Sequence, residues 1–341
     1  MATLRSDVII PEIFTPYLLE QTTLRDAFLA SGVVQPMAEL NALEGGDYVN
    51  IPFYKANLTG DFEVLSDSTS LTPGKITADK QVGVILHRGR AFESRDLAAL
   101  AAGSDPMAAI GAKVADYVAH QRQKDLLSCL SGIFGTLGTN ASASFVDLTI
   151  DGLSGDTPTV LSPRHVAEAR SILGDQGDKL AAVCMHSKVY YDLVERKAID
   201  YVSTLDARGT SSTQSGGTIV AAYGGEVTVP TYMGLRVLVS DDVQTEGSGA
   251  SSEYATYFFT QGAVASGEQM GMEVETDRDI LAKSDAMSMD LHYCYHPIGA
   301  KWTTGTTNPT RAQLETITNW TKVYETKNIG IVRATNTSNF D

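Results

Sequence analysis

Cysteine is scarce in this sequence, with only Cys129, Cys184 and Cys294 among 341 residues. The three are far apart, their number is odd, and none belongs to a CxxC pair. A disulfide framework needs paired cysteines, and CxxC is a common spacing in zinc and redox sites. The pattern therefore favours reduced, mostly buried thiols over a disulfide-stapled scaffold.

Long apolar runs are also missing. No stretch approaches the roughly 20 consecutive apolar residues that a membrane helix needs. The first residues, MATLRSDVIIPEIF, lack the sustained apolar segment and the small-residue cleavage site of a secretory signal. We therefore expect an intracellular protein that does not span a membrane.

Positive charge is in deficit. The chain has 26 basic residues against 41 acidic ones, a formal net charge of -15. A surface with this balance repels polyanions on average, and tight binding to DNA or RNA requires clustered cations that release counterions. The composition therefore disfavours a protein that binds nucleic acid tightly.

Common catalytic signatures are absent too. The sequence has no GxGxxG after a strand, no GxxxxGKS/T, no HExxH and no GxSxG. These motifs mark nucleotide, zinc-protease and hydrolase sites, so their absence excludes those families but not enzymes as a class. We predict no catalytic residue, no cofactor and no metal site, with one alternative.

That alternative concerns the segment HYCYH. His292, Cys294 and His296 recur at every second position, so a β-strand would project all three side chains from one face. Histidine and thiolate are zinc ligands, which makes a metal-dependent enzyme the alternative reading. A zinc site also needs a fourth ligand or water and supporting hydrogen bonds, which the sequence does not signal. We interpret the segment as strand packing.

A second polar group, Glu273, Glu275, Asp277 and Asp279, alternates along EVETDRD. The spacing is not that of an EF-hand, and alternating acids are ordinary on the solvent face of a strand. We interpret them as the exposed exit of a strand, not as a cation site.

The first half of the chain alternates strands and helices. Strands are predicted at 47–54 and 81–92, and a short helix at 93–102. An apolar stripe at helical spacing then predicts one long helix over 104–134, about 45 Å in length.

The segment at 55–80 between the two predicted strands is polar and contains Pro73-Gly74, a pair suited to a type II turn. A two-stranded ribbon is marginally stable by itself in water, so such a hairpin needs support from outside its own domain. A disordered loop is the alternative, and the residues alone do not decide between the two.

The second half begins with a well-capped helix at 162–174 and continues with short strands. Residues 201–225 are rich in Gly, Ser and Thr and predict a loop. The whole chain therefore has an α+β pattern whose second half is mainly antiparallel.

The densest basic patch consists of Arg88, Arg90 and Arg95, with Glu93 and Asp96 beside them. A patch of this size is usually surface decoration. In a chain that assembles, such mixed charges are candidates for salt bridges between subunits.

Six stretches, taken in order, resemble the major capsid (coat) proteins of tailed bacteriophages, which share the Hong Kong 97-type fold. They are VIIPEIFTPYLLEQTTLRDAFLASGVV, GDYVNIPFY, AVCMHSKVYYDLVE, YFFTQGAVASGEQ, VETDRDILAKSDAMSMDLHYCYHPIGAKW and NPTRAQLETITNWTKVYETKNIGIV. None is a catalytic signature. Their order and their coverage of nearly the whole chain carry the resemblance.

The resemblance implies a division of the chain into four parts. These are an N-terminal arm at 1–52, an extended hairpin called the E-loop at 53–88, a peripheral domain at 89–159 and 286–341 with a long spine helix at 104–134, and an axial domain at 160–285. The loop at 201–225 would then approach the axis of the capsomer.

The resemblance also implies a function. The expected protein self-assembles into hexamers and pentamers of an icosahedral phage head, a virion component assembled in the host cytoplasm around double-stranded DNA that it contacts weakly. Expected partners are further copies of itself, a separate scaffolding protein, a portal and decoration proteins. Candidate contacts between subunits are Leu71, Pro73, Gly74, Lys75, Arg88, Arg90, Glu93 and Arg95.

Two further expectations follow from the resemblance. The nearest alternative function is the shell of an encapsulin-type nanocompartment, which uses the same fold. Some family members crosslink an E-loop lysine to a neighbouring subunit. Lys55, Lys75 and Lys80 lie in the loop, but no surrounding motif supports that chemistry, so we expect subunits that separate in boiling detergent.

Overall fold

The structure is a computed structural model that describes residues 27–41, 46–55, 76–95, 106–137, 144–151, 159–203, 228–247 and 252–340. Three predicted features lie mostly outside the described residues. They are the N-terminal arm, the loop at 201–225, and the outer part of the polar hairpin with Leu71, Pro73, Gly74 and Lys75.

The first half of the described chain contains α1 (Ala27–Ala30), β1 (Val34–Pro36), α2 (Ala38–Asn41), β2 (Tyr48–Tyr54), β3 (Ala78–Val84), β4 (Leu86–Arg95) and α3 (Pro106–Phe134). The strand predicted at 47–54 is confirmed as β2, and the β-run at 81–92 is divided between β3 and β4. The predicted long helix is confirmed as α3, whose 29 residues extend about 43 Å.

The second half is richer in strands. Its elements are β5 (Thr149–Ile150), β6 (Thr159–Val160), α4 (Pro163–Leu173), β7 (Leu180–Met185), α5 (Ser187–Glu195), β8 (Asp200–Ser203), β9 (Thr228–Tyr232), β10 (Leu235–Val239), β11 (Thr245–Glu246), β12 (Glu253–Thr260), β13 (Val264–Asp279), β14 (Ser284–Pro297), β15 (Ala300–Trp302), α6 (Arg311–Leu314), β16 (Trp320–Lys322) and β17 (Ile331–Thr337). The mixture confirms the predicted α+β class.

Local signals account for the ends of α4. The backbone N–H of Ser162, just before the helix, donates to Nδ1 of His165 (3.1 Å), and Pro163 occupies the first helical position, where its missing N–H costs nothing. Gly174 follows the last residue with a φ of 58°, a conformation that glycine adopts without steric cost. The predicted helix at 162–174 is thereby confirmed.

The strands form two main sheets. In the smaller sheet the order is β1-β13-β14-β4, with β1 parallel to β13 and the other pairs antiparallel. In the larger sheet the order is β5-β17-β12-β7-β10-β9-β8, with β11 beside β12 and β6 beside β17. β2 pairs with β3 as a two-stranded ribbon, and β15 pairs with β16.

Strand pairing overrides one prediction. The helix expected at 93–102 is wrong at its start, because Glu93 and Arg95 belong to β4 and pair with Ala286 and Ser284 of β14. Residues 96–102 lie outside the described residues. Alanine and leucine in this segment favour a helix locally, but hydrogen bonding to β14 decides its first residues.

Hydrogen-bonded pairing crosses the predicted domain boundary at 285/286. β13 precedes the boundary and pairs along its length with β14, whereas β17 follows it and pairs with β12 of the larger sheet. Each sheet therefore takes strands from both predicted ranges. The domain boundaries stay predictions.

Helix α3 packs on the smaller sheet and reaches the larger one with its C-terminal end. Tyr117 meets Phe92 of β4 edge to face, with ring centroids 5.8 Å apart. The predicted apolar stripe is buried at its described aliphatic members Val114, Val118, Leu126, Leu130 and Ile133. In the described part of the chain, no helix combines the length and apolar character needed to cross a membrane.

Candidate functional site

The HYCYH segment forms the end of β14, as the strand interpretation predicts. Nε2 of His296 lies 3.0 Å from Oε1 of Gln81, and the ring of His292 stacks on that of His87 with centroids 4.1 Å apart. The Sγ of Cys294 lies against Gly83, where an added Cβ would be only 3.2 Å away. Each of the three side chains is thus occupied by contacts within the protein.

The spacing of residues along a strand also argues against His292, Cys294 and His296 binding one metal ion together. Alternate residues of a strand are about 6.7 Å apart, so His292 and His296 are about 13 Å apart along the backbone, whereas ligand atoms around one zinc ion lie about 3.5 Å from each other. Within the described ranges, no three His, Cys, Asp or Glu side chains form a group that could hold a metal ion. The structure shows these residues as strand packing.

Burial keeps two side chains of this segment, Cys294 and His296, uncharged. It raises the pKa of Cys294 to about 12 and lowers the pKa of His296 to about 4, because a charge is poorly solvated inside the protein. At neutral pH the thiol is therefore protonated and the imidazole neutral. Cys129 and Cys184 are also buried, which confirms the expectation of buried thiols.

The alternating acids of β13 are exposed. Glu273, Glu275, Asp277 and Asp279 all lie on the solvent side of the strand, while Val274 between them is buried. The interpretation as the solvated face of a strand is confirmed.

The main polar cluster is centred on Asp125 of α3, which sequence reasoning missed. Its carboxylate is fully buried and accepts hydrogen bonds from Tyr293 Oη (2.5 Å), Arg311 Nε (2.5 Å) and Arg88 Nε (3.3 Å). One carboxylate thereby joins α3 to β14, to α6 and to β4. Burial, followed by the charge of Asp125, raises the pKa of Tyr293 well above its usual value, so the hydroxyl remains a donor.

A signal for this cluster is present in the sequence. Asp125 follows Val118 by seven residues and precedes Cys129 by four, so helical periodicity places it on the buried stripe. A charged residue on a buried face needs a partner. The identity of the partners could not be read in this way, because they are distant in the chain.

The predicted contact residue Arg88 is used inside the subunit. Besides Asp125, its guanidinium donates to Asn308 Oδ1 (2.9 Å) and to the carbonyl oxygen of Pro309 (2.7 Å). These bonds anchor the segment before α6 to β4. A role for Arg88 between subunits stays a prediction.

The other charged candidates of β4 are exposed and lie on two faces. Arg90 shares the helix-side face with Arg88 and lines a cleft of about 170 Å³ between α3 and the sheet. Glu93 and Arg95 project from the opposite face, since side chains alternate along a strand. The basic patch predicted from the sequence is therefore divided between the two faces of the sheet. Arg88 and Arg90 are on one face, and Arg95 is on the other.

Helix α3 also connects the smaller sheet to the larger one. Nε2 of Gln123 donates to Oγ of Ser240 (2.7 Å), and Nζ of Lys124 lies 3.3 Å from Asp242 Oδ1. Arg333 of β17 is buried and donates to the carbonyl oxygen of Gly135 (2.6 Å), just beyond the end of the helix. A cation there also complements the negative end of the helix dipole.

One face of the β2–β3 ribbon packs on the body. Gln81 is buried and donates from Nε2 to Tyr324 Oη (2.8 Å), and Phe53 packs edge to face on Tyr324 at 4.7 Å. Tyr54 follows Phe53 on the opposite face of the strand and is 75% exposed, and Ile76, just before β3, is 49% exposed.

Comparison with known proteins identifies the family. A family model described as Gp13-like, major capsid protein 13-like, matches residues 37–330. The chain belongs to this family of major capsid proteins. The major capsid protein of Bacillus phage SPP1 is 35% identical over 337 residues, which cover 96% of each chain.

Solved capsid structures share the fold of this major capsid protein. The capsid of Ralstonia phage GP4 matches with a TM-score of 0.56 and 9% identity, covering 90% of this chain and 87% of that one. The capsid asymmetric unit of cyanophage Pam1 matches with a TM-score of 0.55 and 13% identity, covering 90% and 89%. The resemblance to phage capsid proteins is confirmed.

The protein is thus a structural component of a phage head and not an enzyme. Neither the encapsulin alternative nor the metal-enzyme alternative is favoured by these relatives. Capsid proteins assemble with copies of themselves, so the surfaces that matter for function are those that contact other subunits.

Proposed function

We propose that this major capsid protein self-assembles into the hexamers and pentamers of an icosahedral head that encloses double-stranded DNA, as a subunit of the Hong Kong 97 type. In this proposal α3 is the spine helix and the smaller sheet is the body of the peripheral domain. The larger sheet is the body of the axial domain, and the β2–β3 ribbon is the base of the E-loop.

The observation that carries the proposal is the asymmetric support of the ribbon. One face of the ribbon packs on Tyr324 through Phe53, whereas Tyr54, the next residue, is on the other face and stays largely exposed. Ile76 is also about half exposed, and residues 56–75 continue from this end of the ribbon. A two-stranded ribbon is marginally stable unless its apolar side chains are covered. A neighbouring subunit supplies that cover, which is how one chain uses an extended ribbon to hold the next.

Contacts of this kind join different surfaces of two identical chains. Such heterologous contacts close into rings when the rotation between neighbours closes. The proposed contact residues are Leu71, Pro73, Gly74 and Lys75 in the loop, and Arg88, Arg90, Glu93 and Arg95 in β4. Arg90, Glu93 and Arg95 are exposed and available for pairing with a neighbour.

Charge supports weak contact with the packaged DNA. The net charge of -15 gives an anionic shell wall that binds DNA weakly, because few cations are available to release counterions. In this proposal the head is assembled in the host cytoplasm with a separate scaffolding protein, and a portal and decoration proteins complete the virion.

Electron microscopy of the purified protein tests the proposal. We expect shells, tubes or capsomers from the wild type, and compact monomers at high concentration would contradict it. The double variant Tyr54→Ser and Ile76→Ser should stay folded but assemble poorly, because the ribbon loses the apolar side chains that a neighbouring subunit would cover. Phe340→Ser removes an aromatic ring that is 51% exposed elsewhere and is the matched control, expected to assemble normally.

Boiling in detergent tests the absence of covalent crosslinks. Assembled particles should separate into single chains, because no motif around Lys55, Lys75 or Lys80 supports a crosslink. A ladder of covalent oligomers on the gel would contradict this expectation and show that subunits are crosslinked.

A further inference from the structure

The cleft of about 170 Å³ between α3 and the smaller sheet concentrates positive charge. Its lining includes one carboxylate, Asp125, and four arginines, Arg88, Arg90, Arg122 and Arg311. The chain as a whole has a net charge of -15, so a cluster of this sign is unusual for it. Guanidinium groups that lie close together repel one another unless negative charge lies between them.

Two of the four guanidinium groups share a single carboxylate. Nε of Arg88 donates to one oxygen of Asp125 and Nε of Arg311 to the other. Arg122 has a carboxylate of its own, because its Nη1 lies 2.8 Å from Oε1 of Glu268. The pair of arginines on Asp125 therefore keeps one unbalanced positive charge.

Arg90 adds a second unbalanced charge. Its side chain makes no hydrogen bond or ion pair with the residues that the structure describes. Arg311 donates from Nε and Nη2, but its Nη1 has no acceptor in the same part of the chain. These two arginines come from β4 and α6 and both line the cleft. The cleft thus offers unused N–H donors and a surplus of two positive charges.

The surplus matches a phosphate group. Phosphate carries a charge of about -1.5 to -2 at pH 7 together with several acceptor oxygens, whereas a carboxylate carries a single charge. Guanidinium groups bind phosphate oxygens through paired N–H donors. The cleft has the volume of about six water molecules at roughly 30 Å³ each, and pockets for drug-sized ligands start at about 300 Å³. Its size therefore favours an ion over a larger molecule.

The walls of the cleft strengthen the attraction. Val118, Met289 and Leu291 contribute apolar surface, and the side chains of Arg88 and Arg311 are only 26% and 36% exposed. Salt screens charges that are partly withdrawn from water less than it screens charges on an open surface. An anion is therefore held more strongly here than by an isolated exposed arginine.

We propose that the cleft binds a free phosphate ion, with Arg90 and Arg311 as its direct ligands. The ion bridges β4 to α6 and supplies the negative charge that the cluster around Asp125 lacks. The site belongs to the single subunit, so the proposal does not depend on self-assembly.

Calorimetric titration of unassembled, full-length subunits with sodium phosphate, at pH 7 and constant ionic strength, tests the site. We expect one saturable binding event per subunit. Arg90→Met should weaken it at least about tenfold, because charge-assisted hydrogen bonds are lost, and should stay folded because Arg90 is exposed. Arg95→Met removes an exposed guanidinium from the other face of the same strand. It is the matched control and should bind phosphate as the wild type does.

Thermal unfolding separates binding in the cleft from the general effect of phosphate salts. Such salts stabilise proteins by being excluded from the surface, an effect that does not saturate and is shared by both variants. Binding to the folded subunit instead raises the unfolding temperature according to the occupancy of a site. That part of the increase should disappear in Arg90→Met and remain in Arg95→Met.

Three results would overturn the proposal. The first is the absence of saturable phosphate binding by the wild type. The second is equal binding by Arg90→Met and Arg95→Met, which would place the ion elsewhere or reduce it to a diffuse attraction to exposed arginines. The third is binding of a short DNA duplex that requires Arg90 while free phosphate does not bind, since the ligand would then be a nucleic-acid backbone.

Discussion

The buried imidazole of His296 should make the subunit sensitive to acid. The residue is 1% exposed in β14, and Nε2 donates to Oε1 of Gln81, an oxygen that can only accept. Nδ1 is buried and has no hydrogen-bond partner in the described structure. A proton on Nδ1 would therefore place a charge where nothing described accepts its hydrogen bond.

The magnitude follows from the shift in pKa. Burial lowers the pKa of His296 to about 4 in the folded state, whereas an exposed histidine in the unfolded chain has a pKa of about 6.5. Between these values the unfolded chain binds more protons, so acidification favours unfolding. The full contribution is present above the unfolded pKa and is lost as the pH falls to the folded pKa, a change of about 3 kcal/mol.

The comparison that isolates this effect uses His296→Leu. Leucine fills the site without a titrating group, and Gln81 Oε1 keeps the N–H of Gly299 (2.9 Å) as a donor. Urea unfolding of dissociated subunits between pH 7 and pH 4 can be followed by the fluorescence of Trp302 and Trp320, which are both buried. The free energy of unfolding of the wild type should fall by about 3 kcal/mol more than that of the variant.

Groups that titrate in both proteins cancel in this difference, so the result depends on His296. Parallel pH profiles for the two proteins would refute the reasoning. They would show that the imidazole reaches solvent, or finds an acceptor, when it is protonated.

Three substitutions should weaken the contacts that hold α3 in place, measured by the same unfolding assay at neutral pH. Arg333→Met removes the buried donor from the carbonyl groups that follow the helix and should cost about 3 kcal/mol. Asp125→Asn leaves two arginines without their carboxylate and should cost about 3 to 5 kcal/mol. Gly132→Ala adds a Cβ that overlaps the carbonyl oxygen of Leu314 and should cost about 1 to 3 kcal/mol, because the backbone of α6 must move.

Each substitution has a control of the same chemistry. Asp147→Asn changes a carboxylate that is 61% exposed, and Gly271→Ala adds a Cβ with no atom within 4 Å. Arg95→Met removes an exposed guanidinium from β4. All three controls should change the free energy of unfolding by less than about 0.5 kcal/mol. Equal losses in a control and its partner variant would show that the buried contact contributes little.

Elements defined by neighbouring residues were predicted well. The long helix was expected at 104–134 and occupies Pro106–Phe134, and the strand expected at 47–54 occupies Tyr48–Tyr54. The helix at 162–174 was also found, because its caps lie within the segment itself. Periodicity and capping act over a few residues, so the sequence carries them completely.

Contacts between distant segments were not predicted. Asp125 meets Tyr293 across 168 positions of sequence and Arg311 across 186, and Arg333 meets Gly135 across 198. No local pattern encodes which distant residue becomes the neighbour. The error at the start of the helix predicted at 93–102 has the same cause. The end of β4 is hydrogen-bonded to β14, which is almost 200 residues away in the sequence.

By itself, the sequence determined the family, the α+β class, the long helix and the acidic character of the subunit, because all of these depend on residue order or composition. The tertiary structure decided the use of individual side chains. It placed Asp125 at the junction of four elements, turned Arg88 inward and filled the faces around His292, Cys294 and His296 with protein contacts. It also left Ile280 and Leu281, in the turn between β13 and β14, exposed to solvent. Burial and hydrogen bonding depend on which strands and helices pack together, and only the folded chain specifies that.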